Sequence, residues 1–191
     1  KEAILIKPDY AEAYYNLGLT LKEQGKFDEA VEAYDRALSL KPDYFEAYNN
    51  KGNALKDQGK LEEAISTYKK TIALFPDNNH VYNNIGVAYQ EQGNLNSALE
   101  AFKKSISIKP DNAKAYYNLG NILKEKNKLN KAIKSYKKSL SLNPYDADCF
   151  INIGIALKEQ GKFDDAVESY DRALLLKPDY FEAYNNKGNA L

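Results

Sequence analysis

The sequence has little with which to build a catalytic or metal site. Its 191 residues include a single cysteine, Cys149, which excludes a disulfide within the chain and suits a reducing compartment. The single histidine, His80, cannot supply a histidine-rich metal site or a catalytic triad with a second histidine in reserve. No glycine-rich phosphate loop is present either. We therefore expect a cytoplasmic, intracellular protein that is not an enzyme and holds no cofactor and no metal ion.

Excess charge of one sign and long apolar runs are missing too. Lys plus Arg and Asp plus Glu number 27 each, so the formal net charge is +0 and no overall field attracts nucleic acid or an anionic membrane. The longest apolar runs, such as residues 174–176, fall far short of the roughly 20 residues that cross a bilayer. No signal peptide precedes the first proline-marked segment. We expect a soluble chain with no nucleic-acid partner and no membrane partner.

What is present is a repeat with a period of 34 residues. The repeat is marked by Pro8, Pro42, Pro76, Pro110, Pro144 and Pro178. Aligned on these prolines, the chain contains five full repeats at residues 11–44, 45–78, 79–112, 113–146 and 147–180. Residues 1–10 match the end of a preceding repeat, and residues 181–191 match the first helix of a sixth. The pattern predicts that residues 1–191 form one array, excised from a longer protein.

Each repeat carries the signals of two helices. In three repeats the aspartate after the proline is followed three residues later by a glutamate; these aspartates are Asp9, Asp43 and Asp179. This spacing is typical of a capping box at the start of the first helix, helix A. Further on, a residue suited to a left-handed C-cap ends helix A. These residues are Gly25, Gly59, Gly93, Asn127 and Gly161. The second helix, helix B, then runs to the next proline, which stops it.

Four columns of residues predict how the two helices pack. Helix A carries an aromatic residue (Tyr14, Tyr48, Tyr82, Tyr116, Phe150, Tyr184) and, four residues later, a glycine (Gly18, Gly52, Gly86, Gly120, Gly154, Gly188). Helix B carries an alanine (Ala30, Ala64, Ala98, Ala132, Ala166) and, four residues later, an aromatic residue (Tyr34, Tyr68, Phe102, Tyr136, Tyr170). We expect the small residues to let the helices approach closely and the helix-B aromatics to fill the space between neighbouring hairpins. Lys51 and Lys187 stand at an apolar position of helix A, so we expect packed stems and ammonium groups in water.

These spacings resemble those of the tetratricopeptide repeat (TPR) family along the whole chain. The resemblance implies an all-α solenoid of helix-turn-helix hairpins that winds into a right-handed superhelix. In such a superhelix, helix A lines a concave groove and helix B faces outward. Proteins of this kind serve as scaffolds, so the expected partner is a protein or a peptide.

An asparagine recurs in every copy of helix A, away from the packing columns. The column is Asn16, Asn50, Asn84, Asn118, Asn152 and Asn186. Evenly spaced amides can bond the main chain of an extended peptide, and they can also bridge neighbouring helices; the sequence leaves both readings open. The column is similar to the asparagine ladder in the TPR region of O-linked N-acetylglucosamine transferase. That likeness implies a binding mode and not the enzyme.

Other side chains should share this face of helix A. They are Tyr15, Tyr117, Asn53, Asn121, His80, Lys114, Lys22, Lys56, Lys124 and Lys158. Charge is uneven along the chain, because residues 113–146 carry a net +6 and residues 147–180 a net −3. The basic repeat indicates either a patch for an acidic partner or complementary charges on adjacent hairpins. Cys149 falls in a column of small residues, which favours a packed thiol.

We predict a non-enzymatic scaffold that binds an extended peptide or a partner helix in the concave groove. Two alternatives remain at this point. The array can be the substrate-targeting arm of a glycosyltransferase, or a structural solenoid that associates end to end with itself. Residues 20–55 and 156–191 differ at only four of 36 positions, so one surface is present twice in the sequence.

Overall fold

The computed structural model describes residues 9–191, which form eleven α-helices and no strand. One compact unit ends at Asn94 and contains α1 (Ala11–Glu23), α2 (Phe27–Leu40), α3 (Phe45–Asp57), α4 (Leu61–Leu74) and α5 (Asn79–Glu91). A second unit, Leu95–Leu191, contains α6 (Leu95–Ile108), α7 (Ala113–Glu125), α8 (Leu129–Leu142), α9 (Ala147–Glu159), α10 (Phe163–Leu176) and α11 (Phe181–Gly188). The predicted all-α helical repeat fold is confirmed. Pro8 and the helix-B end expected at residues 1–7 lie outside the described residues, and a single array over residues 1–191 stays a prediction.

The helices begin later than the capping boxes predicted. The N-caps of α1, α3 and α11 are Tyr10, Tyr44 and Tyr180, and none of these side chains makes a cap hydrogen bond. The prediction for Asp9, Asp43 and Asp179 is therefore wrong. Before α3 the backbone N–H of Tyr44 donates to the Lys41 carbonyl at 3.2 Å, so Asp43 lies inside a turn and not at the helix end. The three intervening helix-A segments have side-chain caps, namely Asn78, Asn112 and Asp146.

The ends of helix A match the prediction. Gly59 has a φ of 82° and Asn127 a φ of 54°, both in the left-handed region where a side chain other than that of asparagine is strained. The backbone N–H of the next residue closes the cap; for example, Lys60 donates to the Leu55 carbonyl at 2.9 Å. The chain thus reverses within a few residues, and α4 packs against α3.

The helix-A glycines face the helix-B tyrosines, which corrects the expected pairing with alanine. A Cβ on Gly52 would lie 2.4 Å from the Tyr68 ring, and a Cβ on Gly18 would lie 2.5 Å from the Tyr34 ring. Both rings are completely buried. The aromatic residue therefore fills space inside its own hairpin, where a side chain at the glycine would collide with it. It also packs against the next hairpin as expected, since Tyr34 shares a buried cluster with Ala54 and Tyr136 shares one with Cys149. The alanine column is fully buried as well, as Ala30 and Ala64 show.

Lys51 and Lys187 do not simply extend into water. The Lys51 ammonium lies 2.6 Å from a carboxylate oxygen of Asp35, and the Lys187 ammonium lies 2.7 Å from Asp171. Each pair joins helix A to the helix B that precedes it. Where helix A carries Ile85, Leu119 or Ile153 instead, the residue sixteen positions earlier is a lysine and not an aspartate. The two positions therefore vary together.

Cys149 is a packed thiol, as its column predicted. It is fully buried, and its Sγ donates to the Tyr136 carbonyl at 3.3 Å. Burial raises its pKa to about 12, with a further contribution from the nearby Asp146 carboxylate. The thiolate that nucleophilic chemistry requires is thus strongly disfavoured.

Candidate functional site

The asparagine column lies on helix A in both units, but its members differ in exposure. Asn16 is exposed, and Asn118 is buried with 8% of its surface accessible. The other four, Asn50, Asn84, Asn152 and Asn186, are half-buried. The column is therefore neither sealed in the core nor fully open to solvent.

In the first unit the column bridges neighbouring copies of helix A. The Asn50 amide nitrogen donates to the Tyr15 hydroxyl at 3.2 Å and to the Glu46 carbonyl, one turn back in its own helix, at 2.9 Å. The Asn84 amide nitrogen donates to Oδ1 of Asn49 at 2.9 Å. Each bridge spans 35 residues of sequence and fixes the amide toward the preceding helix A.

The second unit repeats this arrangement at Asn152. Its amide nitrogen donates to the Tyr117 hydroxyl at 3.0 Å and to the Asp148 carbonyl at 3.1 Å, and its Oδ1 accepts from the Lys124 ammonium. Both N–H groups of Asn50 and Asn152 are thus engaged within the protein. The bridging role that the sequence left open is present at these positions. The capacity that remains to these two side chains is that of an acceptor, because their N–H groups are in use and an amide oxygen has two lone pairs.

The other predicted asparagines support buried phenols. Oδ1 of Asn53 accepts from the Tyr68 hydroxyl at 2.7 Å, and Oδ1 of Asn121 accepts from the Tyr136 hydroxyl at 2.8 Å. Both asparagines are half-buried, so their amides lie at the boundary between the core and the helix-A face. This contact joins the predicted groove to the packing column of helix B.

The predicted lysines of the first unit are held in ion pairs. Lys22 lies 3.1 Å from Asp57, and Lys56 lies 2.8 Å from Asp57 and 3.5 Å from Glu91. Burial alone would lower the pKa of Lys56, but hydrogen bonds and the charges of Asp57 and Glu91 raise it. Burial would likewise raise the pKa of Asp57, yet Lys56 and Lys22 lower it. The positive charges of Lys22 and Lys56 are therefore already balanced by carboxylates on the same face.

The remaining residues predicted for this face differ in their exposure to solvent. His80 and Lys114 are exposed on helix A, and Lys158 is half-buried. Tyr15 and Tyr117 are half-buried, with their rings 6.1 Å from Tyr34 and 5.9 Å from Tyr136 respectively. Burial raises the pKa of Tyr15, and the Glu46 charge adds to this effect.

Two contacts beside this face were not predicted from the sequence. Tyr44 packs against Tyr15 with ring centroids 5.0 Å apart, and the Tyr180 hydroxyl donates to the Asp148 carboxylate. Tyr44 and Tyr180 occupy the same repeat position just before helix A, where the three intervening repeats have Asn or Asp. This difference in residue type between repeats is the sequence signal that could have identified Tyr44 and Tyr180.

The helix-B side carries the charged residues of the basic and acidic repeats. Lys137, Asp165 and Glu168 line one cavity of about 330 Å³ formed by α8, α9 and α10. The hypothesis of complementary adjacent hairpins is consistent with this placement. Within residues 9–191, however, no ion pair joins Lys131, Lys134 or Lys137 to these acids.

Metal and membrane sites receive no support. Within residues 9–191 no group of three or more His, Cys, Asp or Glu side chains could hold a metal ion. Among the helices of the same residues, none combines the length and the apolar character that a membrane span requires.

Comparisons with known proteins agree with this architecture. Models described as TPR repeat match residues 1–25, 18–59, 52–93, 88–127 and 156–191, and models described as tetratricopeptide repeat match residues 113–146 and 135–168. A search of curated proteins gives no significant match.

Solved structures similar to this chain include TPR proteins of comparable size. One is YrrB, whose published description is "a TPR protein with an unusual peptide-binding site"; it is 22% identical over 98% of this chain and 96% of that chain, with a TM-score of 0.76. A second is a MamA protein, 28% identical over 90% and 95% of the two chains, with a TM-score of 0.77. A third is MamA from Desulfovibrio magneticus RS-1, 20% identical over 90% and 97%, with a TM-score of 0.80. These likenesses agree in fold, and the family models, which cover the sequence from end to end, show that the chain belongs to the tetratricopeptide repeat family.

Proposed function

We propose that this chain is a non-enzymatic scaffold that binds an extended peptide along the helix-A face of its hairpins. The observation that carries the proposal is the bridged asparagine column. Asn50 and Asn152 are each fixed by two donated hydrogen bonds, so their side chains have a defined direction before any partner arrives. A fixed polar group binds with a smaller loss of side-chain entropy than a mobile one.

The hydrogen bonds already made by the asparagine column support one form of partner over the other. Because the amide N–H groups of Asn50 and Asn152 are used internally, these side chains can offer a peptide only acceptor capacity at Oδ1, which at Asn152 is shared with the Lys124 ammonium. An extended peptide has unpaired main-chain N–H groups that such acceptors can bind. A partner helix has its main chain already paired, so it gains less from this face. On this ground we propose an extended peptide, and not a partner helix, as the partner of this site.

The function can be tested without knowing the natural partner. A phage-displayed library of random 16-residue peptides is selected on the immobilised protein, and selected peptides are resynthesised with fluorescein for measurement of Kd by anisotropy. The combined substitution of Asn84, Asn118 and Asn152 by alanine is expected to weaken binding by about tenfold or more. Asn16→Ala removes an exposed amide, so the change in Kd that it causes is not mixed with an effect on helix packing.

The control removes three amides from the helix-B side and its turns, through Asn96→Ala, Asn130→Ala and Asn143→Ala together. Circular dichroism at the assay temperature verifies that both triple variants are folded, since each lost hydrogen bond costs about 0.5–1.5 kcal/mol of stability. Selected peptides that bind the helix-A variant as tightly as the original protein, or that lose equal affinity for both triple variants, would contradict the proposal.

A further inference from the structure

The helix-A column that contains His80 and Lys114 holds acids at its other described positions. These are Glu12, Glu46, Asp148 and Glu182. In each unit two of them flank a tyrosine at the turn before helix A: Tyr44 follows α2 in the first unit, and Tyr180 follows α10 in the second. The acid, the tyrosine and the second acid thus recur at a spacing of 136 residues. Between them the corresponding turn positions hold Asn78, Asn112 and Asp146.

A cation already lies on each of these tyrosine rings. The Lys41 ammonium is 4.5 Å from the Tyr44 ring centroid and 3.9 Å from the Glu12 carboxylate. The Lys177 ammonium is 4.0 Å from the Tyr180 ring centroid. Both lysines are exposed and belong to the turn itself, so they are free to move away. Their positions show that each ring face accepts a positive charge.

One acid of each set has a direct contact: Glu12 pairs with the lysine that covers the Tyr44 ring, and Asp148 accepts a hydrogen bond from the Tyr180 hydroxyl. The carboxylates of Glu12 and Glu46 both raise the pKa of Tyr44, after the larger effect of burial. The hydrogen bond to Asp148 raises the pKa of Tyr180, and the charge of Glu182 adds to it. By contrast, Lys22 and Lys56 on the same face are paired with Asp57 and Glu91 and do not neutralise these acids.

A second, independent feature occurs in the same two hairpins. The hydroxyls of Tyr34 and Tyr170 are fully buried and have no hydrogen-bond partner, whereas those of Tyr68 and Tyr136 donate to Asn53 and Asn121. Where the acceptor asparagine would stand, the chain has Leu19 and Ile155. In the first unit the ring of Tyr15 lies between Tyr34 and Tyr44, with its centroid 5.0 Å from that of Tyr44. The Tyr34 ring lies 6.1 Å from Tyr15, and the Glu182 charge raises the pKa of Tyr170 after burial and Glu159.

We infer that each unit carries one subsite for a lysine or arginine side chain of the bound peptide, formed by Glu12, Tyr44 and Glu46 in the first unit and by Asp148, Tyr180 and Glu182 in the second. This inference rests on the groove-binding function proposed above. The incoming cation replaces Lys41 or Lys177 on the ring and gains the two carboxylates.

The test uses the peptides selected on the full chain. Lysine and arginine are expected to be enriched relative to the unselected library. Replacing the key arginine by citrulline, which keeps the shape and removes the charge, is expected to weaken binding about three- to tenfold. Glu46→Gln and Glu182→Gln are tested one at a time and together. In these variants the arginine and citrulline peptides should bind with nearly equal Kd. Glu32→Gln, an exposed acid on helix B, is the matched control and should leave the penalty unchanged.

The lysines give the opposite readout. Lys41→Gln and Lys177→Gln are expected to strengthen binding of the arginine peptide about two- to threefold, and Lys26→Gln, an exposed lysine at the other end of a hairpin, should not. Peptides that bind through the asparagine column without basic enrichment and without a citrulline penalty would overturn this inference and leave the proposed function standing. Failure of every selected peptide to depend on the asparagine column would overturn the proposed function itself.

Discussion

The Tyr68 hydroxyl donates a hydrogen bond of 2.7 Å to Oδ1 of Asn53, and this contact links the core of a hairpin to its helix-A face. In the preceding hairpin Tyr34 is equally buried, but Leu19 replaces the asparagine and the hydroxyl is unpaired. Two tyrosines in equivalent positions therefore differ in one hydrogen bond.

Removing the two hydroxyls should have opposite consequences. Tyr68→Phe is expected to lower the free energy of unfolding by about 1–2 kcal/mol, because it leaves the Asn53 oxygen without its donor. Tyr34→Phe is expected to be neutral or stabilising, since it removes a buried polar group that has no partner. Urea titration of both variants measures the difference. Equal losses in the two variants would show that Tyr34 has a partner in solution.

Gly52 and Gly188 lie in identical eleven-residue segments, residues 45–55 and 181–191, yet only Gly52 faces a ring. Gly52→Ala is expected to cost about 1–3 kcal/mol, because a Cβ would lie 2.4 Å from the buried Tyr68 ring and this overpacking exceeds the gain in helix propensity. Gly188→Ala meets nothing within 4 Å and should be neutral or stabilising by up to about 1 kcal/mol. Thermal melting of the pair checks the prediction, which a destabilised Gly188→Ala would contradict.

Asp35 and Lys51 should be exchangeable as a pair but not singly. Asp35→Lys alone places two ammonium groups together and is expected to cost about 0.5–1 kcal/mol, within the range of exposed ion pairs. Adding Lys51→Ile reproduces the combination of Lys69 with Ile85 and should restore stability to within about 0.5 kcal/mol of the original chain. A double-mutant cycle by urea unfolding supplies the coupling energy, and strict additivity would count against the pairing.

Cys149 should make the stability depend on alkaline pH. Burial raises its pKa to about 12, so its contribution is fully present below the unfolded-state value of about 8.5 and is lost as pH rises from there toward 12. The stability of the original chain relative to Cys149→Ala is expected to fall by about 1.4 kcal/mol per pH unit between about pH 9 and pH 11. The buried tyrosines titrate in both proteins and cancel in this difference. A flat difference would indicate an accessible thiol.

Local signals in the sequence were enough to predict the helices and where helix A ends. Asn127 matches the glycines in its left-handed φ because the backbone alone dictates that preference. The start of helix A was mispredicted because the turn after the proline, closed by the Tyr44 N–H, has a geometry that the aspartate signal does not reveal.

The periodic columns of apolar and small residues determined that this chain folds as stacked helical hairpins, since that information repeats within every 34 residues. The tertiary structure decided how the polar groups are used: Asn50 meets Tyr15 across 35 residues, Lys51 meets Asp35 across 16, and Tyr34 finds no acceptor. A column of asparagines looks the same in sequence whether it faces solvent or a neighbouring helix. Only the packing of one hairpin on the next fixes which side chain stands within hydrogen-bonding distance.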